Sequence, residues 1–189
     1  MRIPCFSRQA AVVALLFACC TPALAAQQIW TGATDADWQT ETNWNSAVPT
    51  ASDSAVFNAS STANLDLTLS ANASVLGLQI LDPTGPISIA GNPLTIGTGG
   101  IDMSAAAQDL TFTSGVTIAN GKQIWDVANG RTVTAAAIPT KPGQPNNNAG
   151  MVQFGTTGTI TLGSSTANII ADNQGNPWAT YGLNAWAGV

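Results

Sequence analysis

The sequence predicts an all-β protein, a right-handed parallel β-helix with an N-terminal Trp-rich cap, on the basis of three observations. Between residues 65 and 133, short apolar-polar-apolar triplets recur, and each is typical of a short strand with one buried face. The stretches between the triplets contain Gly, Pro, Asn, Asp and Ser, which favour sharp turns. Equivalent triplets also recur after 22 or 23 residues. No helix fits this pattern.

The strand pattern is clearest in six triplets. They are Leu78-Gln79-Ile80, Ile87-Ser88-Ile89, Leu94-Thr95-Ile96, Ile101-Asp102-Met103, Leu110-Thr111-Phe112 and Val116-Thr117-Ile118. Every third triplet is equivalent, which relates Leu78 to Ile101, Ile87 to Leu110, Leu94 to Val116, and Leu110 to Val133. Three strands per turn of this length are typical of a solenoid whose turns stack strand on strand. We therefore expect the first and third residues of all six triplets to face one continuous interior.

Residues 1–25 have the three regions of a secretory signal peptide. Arg2 and Arg8 precede an apolar run at residues 10–20, and Ala23-Leu24-Ala25 supplies a small-x-small cleavage signal. An alternative is lipid attachment at Cys19, in the sequence Leu16-Phe17-Ala18-Cys19, although Phe17 fits that signal poorly. The sequence thus predicts export, to the outside of the cell or to the outer-membrane surface.

The order of segments after the leader follows from changes in composition. The sequence predicts a cap at residues 26–64, β-helix repeats at 65–138, a Pro- and Asn-rich loop at 139–150, and further strands with a Trp-containing tail at 151–189. In the cap, Trp30, Trp38 and Trp44 are expected to close the open first turn, whose strand edges would otherwise promote aggregation. Strand patterns resume at residues 151–154 and 159–162.

Charge and composition exclude several classes of function. After removal of the leader, only Lys122, Arg131 and Lys141 remain against ten carboxylates, so we expect no nucleic-acid partner. The chain contains no His, and its three Cys residues lie in the leader. The usual Ser-His-Asp and Cys-His nucleophiles and zinc sites are therefore excluded. We expect no enzyme activity, no cofactor and no metal.

A family resemblance is carried by short motifs along most of the chain after the leader. The motifs are Trp30-Thr31-Gly32, Asn43-Trp44, Pro49, Asp53-Ser54-Ala55-Val56-Phe57, Leu94-Thr95-Ile96-Gly97, Gly99-Gly100-Ile101, Gln123-Ile124-Trp125, Gly130-Arg131-Thr132-Val133, Ile169-Ile170, Trp178-Ala179-Thr180-Tyr181 and Trp186-Ala187. With these motifs the chain resembles bacterial autotransporter-associated β-strand repeat proteins. The resemblance implies a secreted or surface-displayed β-helix, and it brings no catalytic residue.

The sequence departs from that family in one respect. Autotransporter passengers are normally followed by a C-terminal membrane β-barrel, and the chain has no segment with that pattern. We therefore expect a passenger fragment or a short relative. Membrane attachment would then depend on a C-terminal barrel that is missing from this sequence or on a lipidated Cys19.

Four groups of side chains are candidates for a site. The register brings Gln79, Asp102 and Asp126 into one outward column, whose carboxylates could hold Ca²⁺, although a solvated outer face is the favoured interpretation. A second cluster, Asp35, Asp37 and Glu41, lacks the spacing of a calcium loop and is interpreted as turn-forming. The other two groups are a hydroxyl ladder (Ser88, Thr111, Thr134) and the cap tryptophans, for which packing is favoured over ligand binding. Residues 97–100 predict a turn.

Three functions remain open from the sequence. The first is a structural or adhesive module that contacts an unidentified extracellular polymer, glycan or protein. The second is a carbohydrate-binding module, which would expose coplanar Trp rings. The third is a polysaccharide lyase or hydrolase, which would place stacked acidic residues beside a basic group in a groove. Buried Trp side chains and flat faces of Thr, Ser and Asn would favour the first.

Overall fold

The fold is a parallel β-solenoid of about five turns. The structure is a computed structural model that describes residues 25–119, 122–135, 151–154 and 158–162. Within these ranges there is no α-helix, and a 3-10 turn at Glu41–Asn43 is the one helical element. No helix in this part of the chain is long and apolar enough to cross a membrane. The predicted fold class is confirmed.

Twelve strands form two sheets in the described residues. The strands are β1 (Gln27–Ile29), β2 (Ser54–Phe57), β3 (Asp66–Leu69), β4 (Ala73–Ile80), β5 (Ile87–Gly91), β6 (Leu94–Met103), β7 (Leu110–Phe112), β8 (Val116–Ile118), β9 (Lys122–Val127), β10 (Thr132–Ala135), β11 (Met151–Phe154) and β12 (Thr159–Leu162). The first sheet has the order β1-β2-β4-β6-β9-β11, with β8 paired to β6. The second sheet has the order β3-β5-β7-β10-β12. All the pairings between these strands are parallel, as stacked turns require.

The register matches the predicted spacing. The paired residues include Leu78 with Ile101, Ile87 with Leu110, Leu94 with Val116, and Leu110 with Val133. The first and third residues of all six triplets are buried in one apolar cluster, as expected. The same cluster continues into later turns through Trp125 and Val133. The interior is therefore one continuous column, and its burial supplies most of the driving force for folding.

One corner of the solenoid lengthens from turn to turn. It connects the column Val75, Ile96 and Ile118 to the column Leu78, Ile101 and Trp125. The connection advances by three positions in the first of these turns, five in the next and seven in the third. Residues 97–100, predicted as a turn between strands, instead lie inside β6, where the register with β4 shifts. The flanking strand segments stay paired, so the corner takes up the difference in length.

A segment at residues 35–47 covers the N-terminal edge of both sheets. Over β3, Trp38 donates its backbone N–H to Thr68 (3.0 Å), and Thr68 donates to Ala36 (2.8 Å). Over β1, the Asn45 N–H donates to the Ile29 carbonyl (2.9 Å), and the Ile29 N–H donates to Asn45 Oδ1 (2.7 Å). Main-chain groups that would otherwise offer a template to another chain are thereby occupied.

The parallel sheets extend beyond the predicted repeat region of residues 65–138. They begin with β1 and β2, inside the region predicted as the cap, and they continue through β11 and β12. The two late strands coincide with the patterns at residues 151–154 and 159–162. The predicted leader up to residue 24, the loop at 139–150 and the Trp-containing tail from residue 163 lie outside the described residues.

Replacement of Gly100 by Ala should destabilise the protein strongly. Gly100 has a φ of +65°, and a Cβ there would lie 1.9 Å from the Ile124 carbonyl oxygen of the next turn. Gly130→Ala is the matched control, because φ is +74° there but nothing lies within 4 Å of the added Cβ. The left-handed backbone alone costs about 1–2 kcal/mol in each variant. Urea unfolding should show a clearly larger loss for Gly100→Ala, and equal losses would contradict the close stacking of these two strands.

Replacement of Ile101 by Asp should reduce the free energy of unfolding by several kcal/mol, because a charge would be buried without a partner. Ile101 is 1% exposed in the centre of the core column. Thermal unfolding followed by circular dichroism measures the change. Ile101→Val is the control for lost volume and should cost only about 1 kcal/mol. Similar stability of the Asp and Val variants would show that this side chain is not enclosed.

Candidate functional site

The predicted acidic column is present on the outside of the first sheet. Gln79 pairs with Asp102, and Asp102 pairs with Asp126, on successive turns. All three residues are partly exposed. Gln79 Nε2 donates to Asp102 Oδ2 (3.0 Å), whereas the other carboxylate oxygen accepts from the Ser104 hydroxyl (2.7 Å) and the Ser104 N–H (3.1 Å). The carboxylate of Asp102 is therefore held by donors from its own chain.

These donors keep Asp102 ionised. Burial by itself raises the pKa of Asp102, but the hydrogen bonds from the Ser104 hydroxyl, the Ser104 N–H and Gln79 outweigh it. The net result is a pKa below the ordinary value of 3.8. A glycosidase acid needs the opposite shift, toward a carboxyl group that stays protonated near neutral pH. The electrostatics of Asp102 therefore suit a stabilising role.

The basic group that a lyase would need lies elsewhere. Arg131 immediately precedes β10 of the second sheet and does not lie beside the acidic column. Its Nη1 lies 3.7 Å from Asp109 Oδ1 and donates to the Ala107 carbonyl (2.9 Å). Asp109 also accepts a bond from the Thr132 N–H (2.9 Å). This group therefore ties two turns together and is not placed to act as a base beside the acidic column.

The second acidic cluster is a network of turns around one buried amide. Asn43 is completely buried, and its Oδ1 accepts from the N–H groups of Thr34 (2.9 Å) and Asp35 (3.1 Å). Its Nδ2 donates to Asp35 Oδ1 (2.7 Å) and to the Asp37 carbonyl (2.9 Å). The bond from the Asp37 N–H, followed by that from Asn43, lowers the pKa of Asp35. Asp35 and Asp37 thus form turns, and Glu41 lies exposed at the start of the 3-10 turn.

No group of acidic side chains among the described residues is arranged to hold a metal ion. The Asp35 carboxylate is occupied by protein donors, because Oδ1 also accepts from the Asp37 N–H (2.9 Å) and Oδ2 from the Thr40 hydroxyl (3.1 Å). In the sequence, Asn43 stands out only as part of the motif Asn43-Trp44. Its role was missed because a single buried amide leaves no periodic signal.

The tryptophans of the N-terminal region are buried and packed on one another. Trp30 and Trp38 are fully buried, and Trp44 is 4% exposed. The ring centroids of Trp44 lie 5.1 Å from Trp30 and 4.8 Å from Trp38, both edge to face, and Phe57 packs beside all three. Such contacts stabilise a core beyond the area that they bury. No face of these rings is free to stack on a sugar.

A buried polar pair lies deeper in the core and was missed by sequence reasoning. Gln123 is 1% exposed, accepts from Trp125 Nε1 (2.8 Å) and donates to the Ile96 carbonyl (3.2 Å). The indole N–H therefore finds a partner inside the column. In the same strand Ile124 faces outward and is 50% exposed. A polar residue thus faces inward and an apolar residue faces outward, the reverse of the apolar-polar-apolar triplets. That pattern would place Gln123 outside and Ile124 inside.

The predicted hydroxyl ladder is confirmed and is longer than expected. Ser88 pairs with Thr111, and Thr111 pairs with Thr134. The structure adds Thr161 after Thr134, whereas a carboxylate, Asp66, pairs with Ser88 at the other end. The ladder lies on the outer face of the second sheet. Thr161 was missed because 27 residues separate it from Thr134, a longer turn than the period used to find the others.

Comparison of the chain with protein-family models, with curated proteins and with solved structures found no match.

The pH dependence of stability should reveal the hydrogen-bonded Asp102. Because its pKa is lowered in the folded state, its contribution is fully present above about pH 5 and is lost as the pH falls through the folded pKa. The difference in unfolding free energy between the wild type and Asp102→Asn should therefore be constant at neutral pH and shrink below about pH 4. Urea unfolding at a series of pH values measures it. Asp82→Asn, at an exposed position, is the control, and a pH-independent difference for Asp102→Asn would contradict the assignment.

Proposed function

We propose that this protein is an exported β-solenoid that makes structural or adhesive contacts at the cell surface or outside the cell. The observation that carries the proposal is the division between interior and exterior. The tryptophans at positions 30, 38, 44 and 125 are buried, and the outer columns of the sheets carry mainly small, neutral polar side chains. A rigid exterior of this kind suits extended contact with a partner better than enclosure of a small molecule.

Export is supported by the leader signals at residues 1–25 and by the resemblance to autotransporter-associated β-strand repeat proteins. Those signals place two of the five basic residues and all three cysteines before the cleavage site. A chain that folds after export without cysteine requires no disulfide to hold its turns together.

The two alternatives receive less support. A carbohydrate binder is expected to present aromatic faces to solvent, and the rings of the four tryptophans among the described residues are enclosed. A lyase or hydrolase needs a matched acid and base in one cleft. The acidic column lies on the first sheet, whereas Arg131 is bonded at the second.

Cleavage of the leader is testable by mass spectrometry of the protein recovered from the periplasm or medium of a Gram-negative host. We expect a mature chain that begins at Ala26 or Gln27. The double variant Ala23→Asp and Ala25→Asp should accumulate the uncleaved precursor, because large or charged residues block the small-x-small signal. A chain that begins at a lipid-modified Cys19 would contradict this and support the alternative route.

Contact formation is testable with beads that carry the purified protein through an added tag. The beads are scored for retention under flow on films of bacterial exopolysaccharide, of protein and of bare plastic. We expect retention by the wild type on at least one film, and loss of retention with Ile101→Asp at a temperature where circular dichroism shows that variant, but not the wild type, to be unfolded. Retention no greater than that of blank beads on all three would contradict the proposal. Release of sugar fragments from the exopolysaccharide would instead favour the enzyme.

A further inference from the structure

The outer face of the second sheet carries a regular grid of hydroxyl groups. We call this grid the hydroxyl face, and its members are Ser88, Thr111, Thr132, Thr134, Thr159 and Thr161. One column runs through Ser88, Thr111, Thr134 and Thr161, and a second pairs Thr132 with Thr159. Each of the last two rows therefore presents two threonines, separated by one inward-facing residue.

The grid is regular because the second sheet has no interruption there. The pairings of β5 with β7, of β7 with β10 and of β10 with β12 proceed without a register shift, unlike the pairing of β4 with β6. Neighbouring hydroxyls of a column are thus about 4.8 Å apart, and those two positions apart on one strand roughly 6.6 Å apart. One column of four hydroxyls, with a second column of two beside its last two rows, follows directly from the fold.

The hydroxyls are available and held in place. Among the described residues, none of the six side chains makes a hydrogen bond within the protein, and all six are partly or fully exposed. Threonine is stiff at χ1, so little rotamer entropy is lost when its hydroxyl is bound. The six members of the hydroxyl face are neutral, and each column begins at a carboxylate: Asp66 precedes Ser88 and is exposed, and Asp109 precedes Thr132 and is paired with Arg131.

We propose that the hydroxyl face binds ice. An uncharged, repeating array of hydroxyl and methyl groups offers little to a peptide, which is recognised by charge, pockets or a free strand edge. It also lacks the aromatic platform that a polysaccharide chain would stack on. The oxygen rows of hexagonal ice repeat at distances close to both spacings of the grid, and the ice lattice is neutral. This inference deepens the proposed contact function by naming solid water as the partner of one face.

The test is inhibition of ice recrystallisation by the purified protein, together with the shape of a single ice crystal grown in its presence. We expect small, faceted crystals with the wild type. Thr134→Lys and Thr161→Lys should each require at least about tenfold more protein for the same effect, because each places a bulky charge in one of the two rows that carry paired threonines. The matched control is Thr98→Lys, at an exposed position on the other sheet, which should behave as the wild type.

Circular dichroism of each variant confirms that the solenoid is folded, and Thr134→Val tests the hydroxyl alone, since the residue keeps its shape. Unchanged ice growth in the presence of the wild type would overturn the inference. Equal loss in Thr98→Lys would overturn it as well. Binding to insoluble cellulose or chitin that is sensitive to Thr134→Lys, without an effect on ice, would assign the face to a polysaccharide instead. Export and bead retention are separate readouts, so either proposal can fail without the other.

Discussion

The structure depends on the parallel pairing of each turn with the next. Short strands of three to ten residues have little stability by themselves, and each one gains its main-chain partners only when the neighbouring turns are in register. The same register places Leu78 on Ile101 inside and Gln79 on Asp102 outside. Interior columns, acidic column and hydroxyl face are therefore consequences of one constraint, since a shift of one residue would exchange inside for outside.

The stacked turns of a solenoid bury its apolar side chains, but the first and last turns have no neighbour on one side. At the N-terminal end, residues 35–47 supply backbone partners to β1 and β3, while the Asn43 amide fixes the turns that bring them there. The packed tryptophans fill the space beneath. Polar and apolar devices act together here, because main-chain groups must be bonded at the same place where the apolar column must be closed.

The core could be predicted from sequence because its pattern is local and repeats. The inward residues of six triplets and the 23-residue register require no knowledge of distant contacts, and both are confirmed. The exceptions involve single events. Gln123 is a polar residue that faces inward, where it bonds Trp125. The Ser104 donors to Asp102 lie just beyond a triplet, and Asn43 acts across a loop. A period finds what recurs, whereas the chemistry of these sites depends on residues that occur once.

The lengthening corner makes each turn of the solenoid different from its neighbours. Successive corners advance by three, five and seven positions, and the residue that fills the adjoining column changes from Leu78 to Ile101 to Trp125. Identical coils would stack equally well on the wrong neighbour, one whole coil too early or too late. Unequal corners penalise such skipped or exchanged arrangements, including those between two molecules. The unequal corners thus favour one stacking order of the turns in a chain built from near-repeats.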